Sequence, residues 1–292
     1  AVSDIDLEIY EGECLALVGE SGCGKSTLGR TLIQLHKPTS GDVWYKDVKI
    51  SAMKPAEFAP YRRQMQMIFQ DPYASLDPRM NVRDIIAEPL VTYKVCENKE
   101  ALTKRVLELM DAVGVPRDFL YRYPHQFSGG QRQRIGIARA IALHPSLVIC
   151  DEPVSALDVS VQSQVLNLLK DIQAQYGLTY LFISHDLSVV RFISNRVCVM
   201  FLGKICEIGD SSLIYEKPLH PYTKFLMNAI PIADPHLRGE EKTLLEGEIP
   251  SPINPPKGCR FHTRCPYATE KCRTEEPALR EVEGRRVACH LA

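Results

Sequence analysis

The sequence predicts an α/β fold, a parallel sheet wrapped by helices behind a phosphate-binding loop, with a helical subdomain inserted between two strands and a cysteine-rich C-terminal extension. Three observations predict it. Short apolar runs alternate with longer stretches of helical periodicity, the pattern of a parallel sheet. A glycine-rich loop separates the first such strand from the first such helix. Near the end, Ile249 to Pro256 carries four prolines in eight residues and leads into a tail with four cysteines.

The elements follow in order. Glu13 to Val18 is an apolar run ending in the glycine-rich loop, and Lys25 to His36 reads as a helix. Short strands are expected at Val43 to Tyr45 and Met65 to Phe69. From about Asn81 to Leu143 the apolar spacing is near three and four, most clearly in Ala101 to Val113 and after Gly129, which indicates helices. Leu147 to Cys150 is a short buried strand. Helix Ser160 to Gln175, strand Thr179 to Ile183, helix Leu187 to Ile193 and strand Val197 to Phe201 complete the alternation. The proline-rich stretch must be extended. Residues 1–230 are therefore expected to form one domain, with the helical subdomain at about 75–145. Residues 231–292 form an extension, which the linker is expected to keep separate.

Composition narrows the function classes. The 292 residues carry 35 Lys and Arg against 36 Asp and Glu, a net charge of −1, which argues against a general nucleic-acid binder. No uncharged apolar run reaches the roughly 18 residues of a membrane span, and no signal-peptide pattern is visible. A soluble, cytoplasmic protein is expected.

Gly19-Glu20-Ser21-Gly22-Cys23-Gly24-Lys25-Ser26-Thr27 matches G-x-x-x-x-G-K-[ST] between a predicted strand and a predicted helix. Its glycines let backbone N–H groups wrap phosphate oxygens, the helix N-terminus adds positive potential, and Lys25 neutralises the terminal phosphates. Ser26 offers a hydroxyl to Mg²⁺. Leu147 to Glu152 is an apolar strand ending in adjacent carboxylates, where Asp151 suits a Mg²⁺ shell and Glu152 can polarise an attacking water. Ser128-Gly129-Gly130-Gln131 opens another helix, so it too can meet phosphate. One nucleotide has no use for two such loops from one chain, whereas two chains arranged head to tail do.

These motifs, in this order, resemble ATP-binding cassette ATPases over residues 1 to about 230: the loop at Gly19, Gln70, the signature at Ser128, Asp151-Glu152, Ser155-Ala-Leu-Asp158 and His185. The resemblance implies that ATP and Mg²⁺ are bound, that Gln70 touches Mg²⁺ and the water and links to a membrane partner, that Asp158 lies at the dimer seam, and that His185 contacts the γ-phosphate. The family's adenine-stacking aromatic is not evident, Tyr10 being too near the loop, and is expected upstream of Ala1.

Within the family, Gln70 to Arg79, Tyr123 to Arg134, His220-Pro-Tyr-Thr223 and the region from Glu246 to Cys259 are similar to the dipeptide and oligopeptide importer branch. The nearest similarity is to the second ATPase subunit of dipeptide importers. Nickel, glutathione and opine importers share much of this pattern. The implied partners are a second ATPase subunit, two membrane permease subunits and, indirectly, an external peptide-binding protein. A soluble non-transport cassette protein and a redox-sensing module are the readings from other classes. The tail spacing C-x5-C-x6-C-x16-C (Cys259, Cys265, Cys272, Cys289) is not that of a zinc ribbon and suits an iron–sulfur cluster better, with zinc or free thiols as alternatives. The resemblance implies a [4Fe–4S] cluster there. Cys23 beside Lys25 is a lesser redox candidate, the alternative being a small residue that fits.

Overall fold

The computed structural model describes residues 2–230 and 250–292. In chain order the elements are β1 (Cys14–Val18), α1 (Lys25–Leu32), β2 (Trp44–Tyr45), β3 (Val48–Lys49), α2 (Pro55–Gln64), β4 (Met65–Ile68), α3 (Val82–Thr92), α4 (Lys99–Ala112) and α5 (Gly129–Ile141). They continue with β5 (Leu147–Asp151), α6 (Val159–Tyr176), β6 (Thr179–Ser184), α7 (Leu187–Ile193), β7 (Arg196–Phe201) and β8 (Lys204–Asp210). Helices α8 (Ser211–Glu216), α9 (Pro221–Asn228) and α10 (Glu270–Thr274) precede β9 (Arg280–Val282) and β10 (Arg285–Val287). Two compact units share these elements. One takes the described residues of Ala1–Glu8, Cys14–Leu28 and Ile183–Ala292, the other those of Ile9–Glu13 and Gly29–Phe182.

In the second unit β4 and β5 run parallel, Met65 opposite Leu147 and Ile68 opposite Cys150, with β6 beside β5. Between β4 and β5 the chain makes α3, α4 and α5. The helices start where the sequence supplies caps: the side chains of Asn81 and Asn98 accept from the N–H groups of Asp84 and Ala101. Ile86, Leu90, Val106, Leu109, Ile135 and Ile137 are fully buried, the inward stripe that the periodicity anticipated. Helix α2 was not legible, because only Phe58 of its ten residues is buried and no apolar stripe forms. Helix α1 stops at Leu32 rather than His36, and Gln34 turns the chain at φ 60.

In the first unit β1 and β7 are parallel, Leu15 opposite Arg196 through Val18 opposite Val199. The sheet there is mixed, not purely parallel. Leu202 and Gly203 take φ values of 42 and 78, a tight turn that folds β8 back antiparallel on β7. The run Ile205 to Ile208 held the signal for β8.

The tail does not stand apart from the unit that carries the glycine-rich loop. Strand β10 pairs antiparallel with β8, Val287 opposite Glu207, and β9 adds to β10. Three features hold β10 there. A Cβ on Gly209 would come 2.6 Å from the Arg285 Cβ, so only glycine lets the strands approach. Arg285, buried, donates to the carbonyls of Leu213 and Lys217 at 2.8 and 2.6 Å and faces the buried Glu207 carboxylate at 3.7 Å. Phe261, 1% exposed, packs against Phe201 and Tyr222 with ring centroids 5.3 Å away in each case. The extended proline-rich segment is described from Pro250 onward; Glu246 to Ile249, part of the branch similarity, lie outside the described residues.

Candidate functional site

The phosphate loop follows β1 in the first unit. Gly19 has φ 149, and a Cβ there would strike the Met200 carbonyl oxygen at 2.1 Å, so the position admits no side chain. Gly22 and Gly24 also take positive φ, 78 and 106. The loop curls around its own lysine: Lys25 is 5% exposed, and its Nζ donates to the carbonyls of Gly19 and Glu20 at 2.8 and 3.1 Å. A cation held within a turn that leads into a helix N-terminus is the arrangement that receives a polyphosphate.

Cys23 is buried against that lysine at 3.8 Å. Burial raises its thiol above the ordinary value and outweighs the Lys25 charge. His185, two residues before α7, belongs to the same unit, and Asp186 caps that helix by accepting from Ser188 N–H at 2.8 Å.

The second unit holds Gln70, the signature, the paired carboxylates and Asp158. Gln70 Nε2 donates to a Glu152 carboxylate oxygen at 3.1 Å, which brings together two residues 82 positions apart. Glu152 sits at φ 46, a strained conformation for a residue with a side chain, at the end of a buried strand. Asp151 is fully buried, and Arg30 of α1 approaches its carboxylate at 3.4 Å. No sequence signal marked Arg30. Ser128 caps α5: its Oγ accepts from Gln131 N–H at 3.3 Å while the Gln131 side chain accepts from Ser128 N–H at 3.0 Å. Gly130 is required because a Cβ there would lie 2.4 Å from Val161 of α6. Asp158 caps α6, accepting from Val161 N–H at 3.1 Å and Ser160 Oγ at 2.7 Å, and the Ser160 contact first of all holds its carboxyl below the usual range. Tyr10 is 53% exposed.

The same unit has a groove of about 790 Å³ lined by Gln70, Glu88, Tyr93, Arg139 and Phe69 among others. Arg139 donates to the Ser75 carbonyl at 2.8 Å, fixing one wall to the segment after Gln70.

Residues 2–155 match the ABC transporter family, and residues 206–272 match the oligopeptide/dipeptide transporter C-terminal region. The chain belongs to the ABC transporter family. It is 56% identical to the putative oligopeptide transport ATP-binding protein YkfD of Bacillus subtilis, over 100% of this chain and 89% of that protein. It is 54% identical to the oligopeptide transport ATP-binding protein OppF of Escherichia coli, over 99% of this chain and 87% of that one. Among solved structures, the dimeric ATP-binding cassette MJ0796 bound to ADP and Pi aligns with TM-score 0.66 at 31% identity, covering 72% of this chain and 90% of that chain. As an ABC ATPase the chain is an enzyme that uses ATP and Mg²⁺.

The four tail cysteines are gathered but not closed around a common point. Cys259 N–H donates to the Cys272 carbonyl at 2.9 Å. The Cys259 thiol is pushed up to about 11, by burial first, with Cys272, Cys289 and Cys265 adding to it. Cys265 is raised for the same reasons, burial foremost and then Cys289 and Cys272. Among the described residues, however, no three His, Cys, Asp or Glu side chains form a set able to hold a metal ion. The cluster expected from the spacing therefore has its thiols in one neighbourhood without the ligand geometry it needs. No step of the chemistry below is routed through it.

Proposed function

We propose that this chain is the ATP-hydrolysing subunit that powers import of dipeptides and oligopeptides across the cytoplasmic membrane. The single observation that carries the hydrolytic part is the 3.1 Å contact between Gln70 and Glu152, with Glu152 held in a strained backbone at the end of β5. A carboxylate so placed orients and deprotonates a water, and Gln70 reports its state to the groove beside it. Lys25 and the loop N–H groups from Gly19 to Thr27 bind the phosphates. Ser26, Gln70 and Asp151 would hold Mg²⁺, which neutralises phosphate charge when bound. His185 contacts the γ-phosphate.

Two such chains head to tail place Ser128, Gly129, Gly130, Gln131 and Asp158 of one against the nucleotide of the other. Support comes from the capped, phosphate-ready start of α5 and from the dimeric state of the 31%-identical MJ0796 structure. The peptide substrate is supported by the names of relatives such as YkfD, OppF and the di/tripeptide transport protein DppF of Pseudomonas aeruginosa, which is 48% identical over 100% of this chain. Among the described residues no helix is long and apolar enough to cross a membrane. The reading therefore puts the chain on the cytoplasmic face, docked on two permease subunits through the groove at Gln70, with an external peptide-binding protein supplying substrate. In this scheme residues 1–230 are the ATPase domain, α3 to α5 its inserted helical subdomain, and 231–292 a peptide-importer extension. A [4Fe–4S] cluster on Cys259, Cys265, Cys272 and Cys289 is carried by the cysteine spacing and the resemblance to the branch alone.

Glu152→Gln should keep ATP binding and lose turnover by about 10²-fold or more, the scale of general-base loss. Lys25→Ala should lose binding itself. Turnover near wild type in the first variant, or unchanged ATP affinity in the second, overturns the site. Purification from membranes without permease subunits overturns the transport reading.

A further inference from the structure

The tail reaches the phosphate loop directly. Arg264 stands one residue before Cys265, and its side chain is only 7% exposed. Its Nη1 donates to both carboxylate oxygens of Glu20, at 2.8 and 3.1 Å. Glu20 is the second residue of the loop, and its other groups are engaged as well. Its N–H donates to the Tyr222 hydroxyl at 2.9 Å, and its carbonyl accepts from Lys25 at 3.1 Å.

A second tail arginine reaches the loop indirectly. Arg260, next to Cys259, donates to the Leu202 carbonyl. The following residue, Gly203, donates its N–H to the Cys23 carbonyl at 2.8 Å. Both arginines flank tail cysteines: Arg264 ends on the carboxylate of the loop residue Glu20, and Arg260 on the Leu202 carbonyl, next to the Gly203 that bonds Cys23.

A carboxylate in a loop built to receive a polyanion is a like-charge neighbour of its own ligand. Left unpaired, Glu20 would repel the phosphates at close range in a partly buried place, where screening by water is weak. The Arg264 guanidinium is itself buried, and its Nε has no hydrogen-bond partner among the described residues, so Glu20 is what compensates its charge.

We propose that Arg264 is a positioning residue for nucleotide binding. It cancels the Glu20 charge and fixes the loop through the Cys-bearing tail, so the order of the tail sets the affinity of the phosphate loop. The proposal rests on the reading that the loop around Lys25 binds nucleotide.

The test is equilibrium binding of Mg-ATP to the full chain, with thermal unfolding measured on every variant. Arg264→Gln should weaken binding about tenfold, as when one partner of a buried charge pair is removed. In a Glu20→Gln background, whatever its own affinity, adding Arg264→Gln should weaken binding by less than about twofold, because no unpaired carboxylate remains. A purely structural role for Arg264 predicts that the loss of about tenfold persists in that background. That result, or unchanged binding in Arg264→Gln, overturns the proposal. If Arg264→Gln does not fold, Arg264→Lys serves: one nitrogen meets both oxygens, a contact an ammonium can copy, so affinity should stay within about threefold and a tenfold loss overturns the charge argument. Lys25→Ala measured alongside separates the two readings. Loss of binding there with no effect at Arg264 sinks this proposal alone, whereas no effect at either sinks the nucleotide site.

Discussion

Acid should loosen the first unit through His220. That residue is 2% exposed, and burial pushes its imidazole down to about 4. Its Nδ1 accepts from Tyr222 N–H at 3.0 Å as the cap of α9, a role only an unprotonated nitrogen can fill, and a positive charge there would also oppose the helix N-terminus. The neighbouring Glu207 is already engaged: its carboxylate accepts from the N–H groups of Leu219 and His220 at 2.9 and 3.0 Å and faces Arg285. In the unfolded chain the ring titrates near 6.5, so between about 6.5 and 4 the unfolded state binds the extra proton and stability falls with pH. The contribution is whole above 6.5. Lowering the pH from 7.5 to 5 removes roughly 2 kcal/mol, out of about 3.4 kcal/mol for the complete shift. The assay is urea unfolding of wild type and His220→Asn across that range, since asparagine keeps a capping oxygen and does not titrate. The difference between the two proteins should change by roughly 2 kcal/mol. Parallel pH dependences, or an imidazole that titrates above 6 in the folded protein, would refute the reasoning.

Two further outcomes follow from the same geometry. Gly209→Ala should release β10 from β8, because the new Cβ meets the Arg285 Cβ at 2.6 Å; faster proteolysis within residues 257–292 checks it, and an unchanged digestion rate counts against the docking described above. Gly130→Val should displace α6 from the start of α5, where even a Cβ lies 2.4 Å from Val161, and, under the proposed head-to-tail pairing, lower ATPase activity of the paired subunits by more than tenfold while ATP binding at Lys25 persists. The cluster reading, which rests on spacing and resemblance rather than on this geometry, requires that anaerobically purified protein carry iron and sulfide lost on Cys259→Ser; zinc, or four titratable tail thiols with no metal, ends it.

Much of the site was legible because its chemistry is local in sequence. Gly19 to Thr27 must turn, wrap and enter a helix within nine residues, and only glycines at those positions allow it, as the blocked Cβ at Gly19 bears out. The apolar run before Asp151-Glu152 and the cap at Ser128 are likewise short-range signals, each readable without knowing what lies across the fold. The periodicity of α3 to α5 gave their buried stripe for the same reason. The sequence was less informative where one residue's partner is distant along the chain. Arg30 beside Asp151, Tyr222 under Glu20 and Arg264 on the Glu20 carboxylate are separated from their partners by 121, 202 and 244 positions. Nothing in their neighbours announces the pairing.

The tail illustrates the limit most clearly. Its prolines and cysteines announced an extended linker and a cluster of thiols, and both are properties of composition. That the tail adds β10 to β8, buries Phe261 among Phe201 and Tyr222 and sets an arginine on the phosphate loop was decided only by tertiary packing. A three-residue strand has too little periodicity to be seen, and its place in the sheet depends on Gly209, some 76 residues earlier, leaving room for Arg285. Local chemistry is written in adjacent residues; long-range docking is written in shape complementarity, which exists only once the chain has folded.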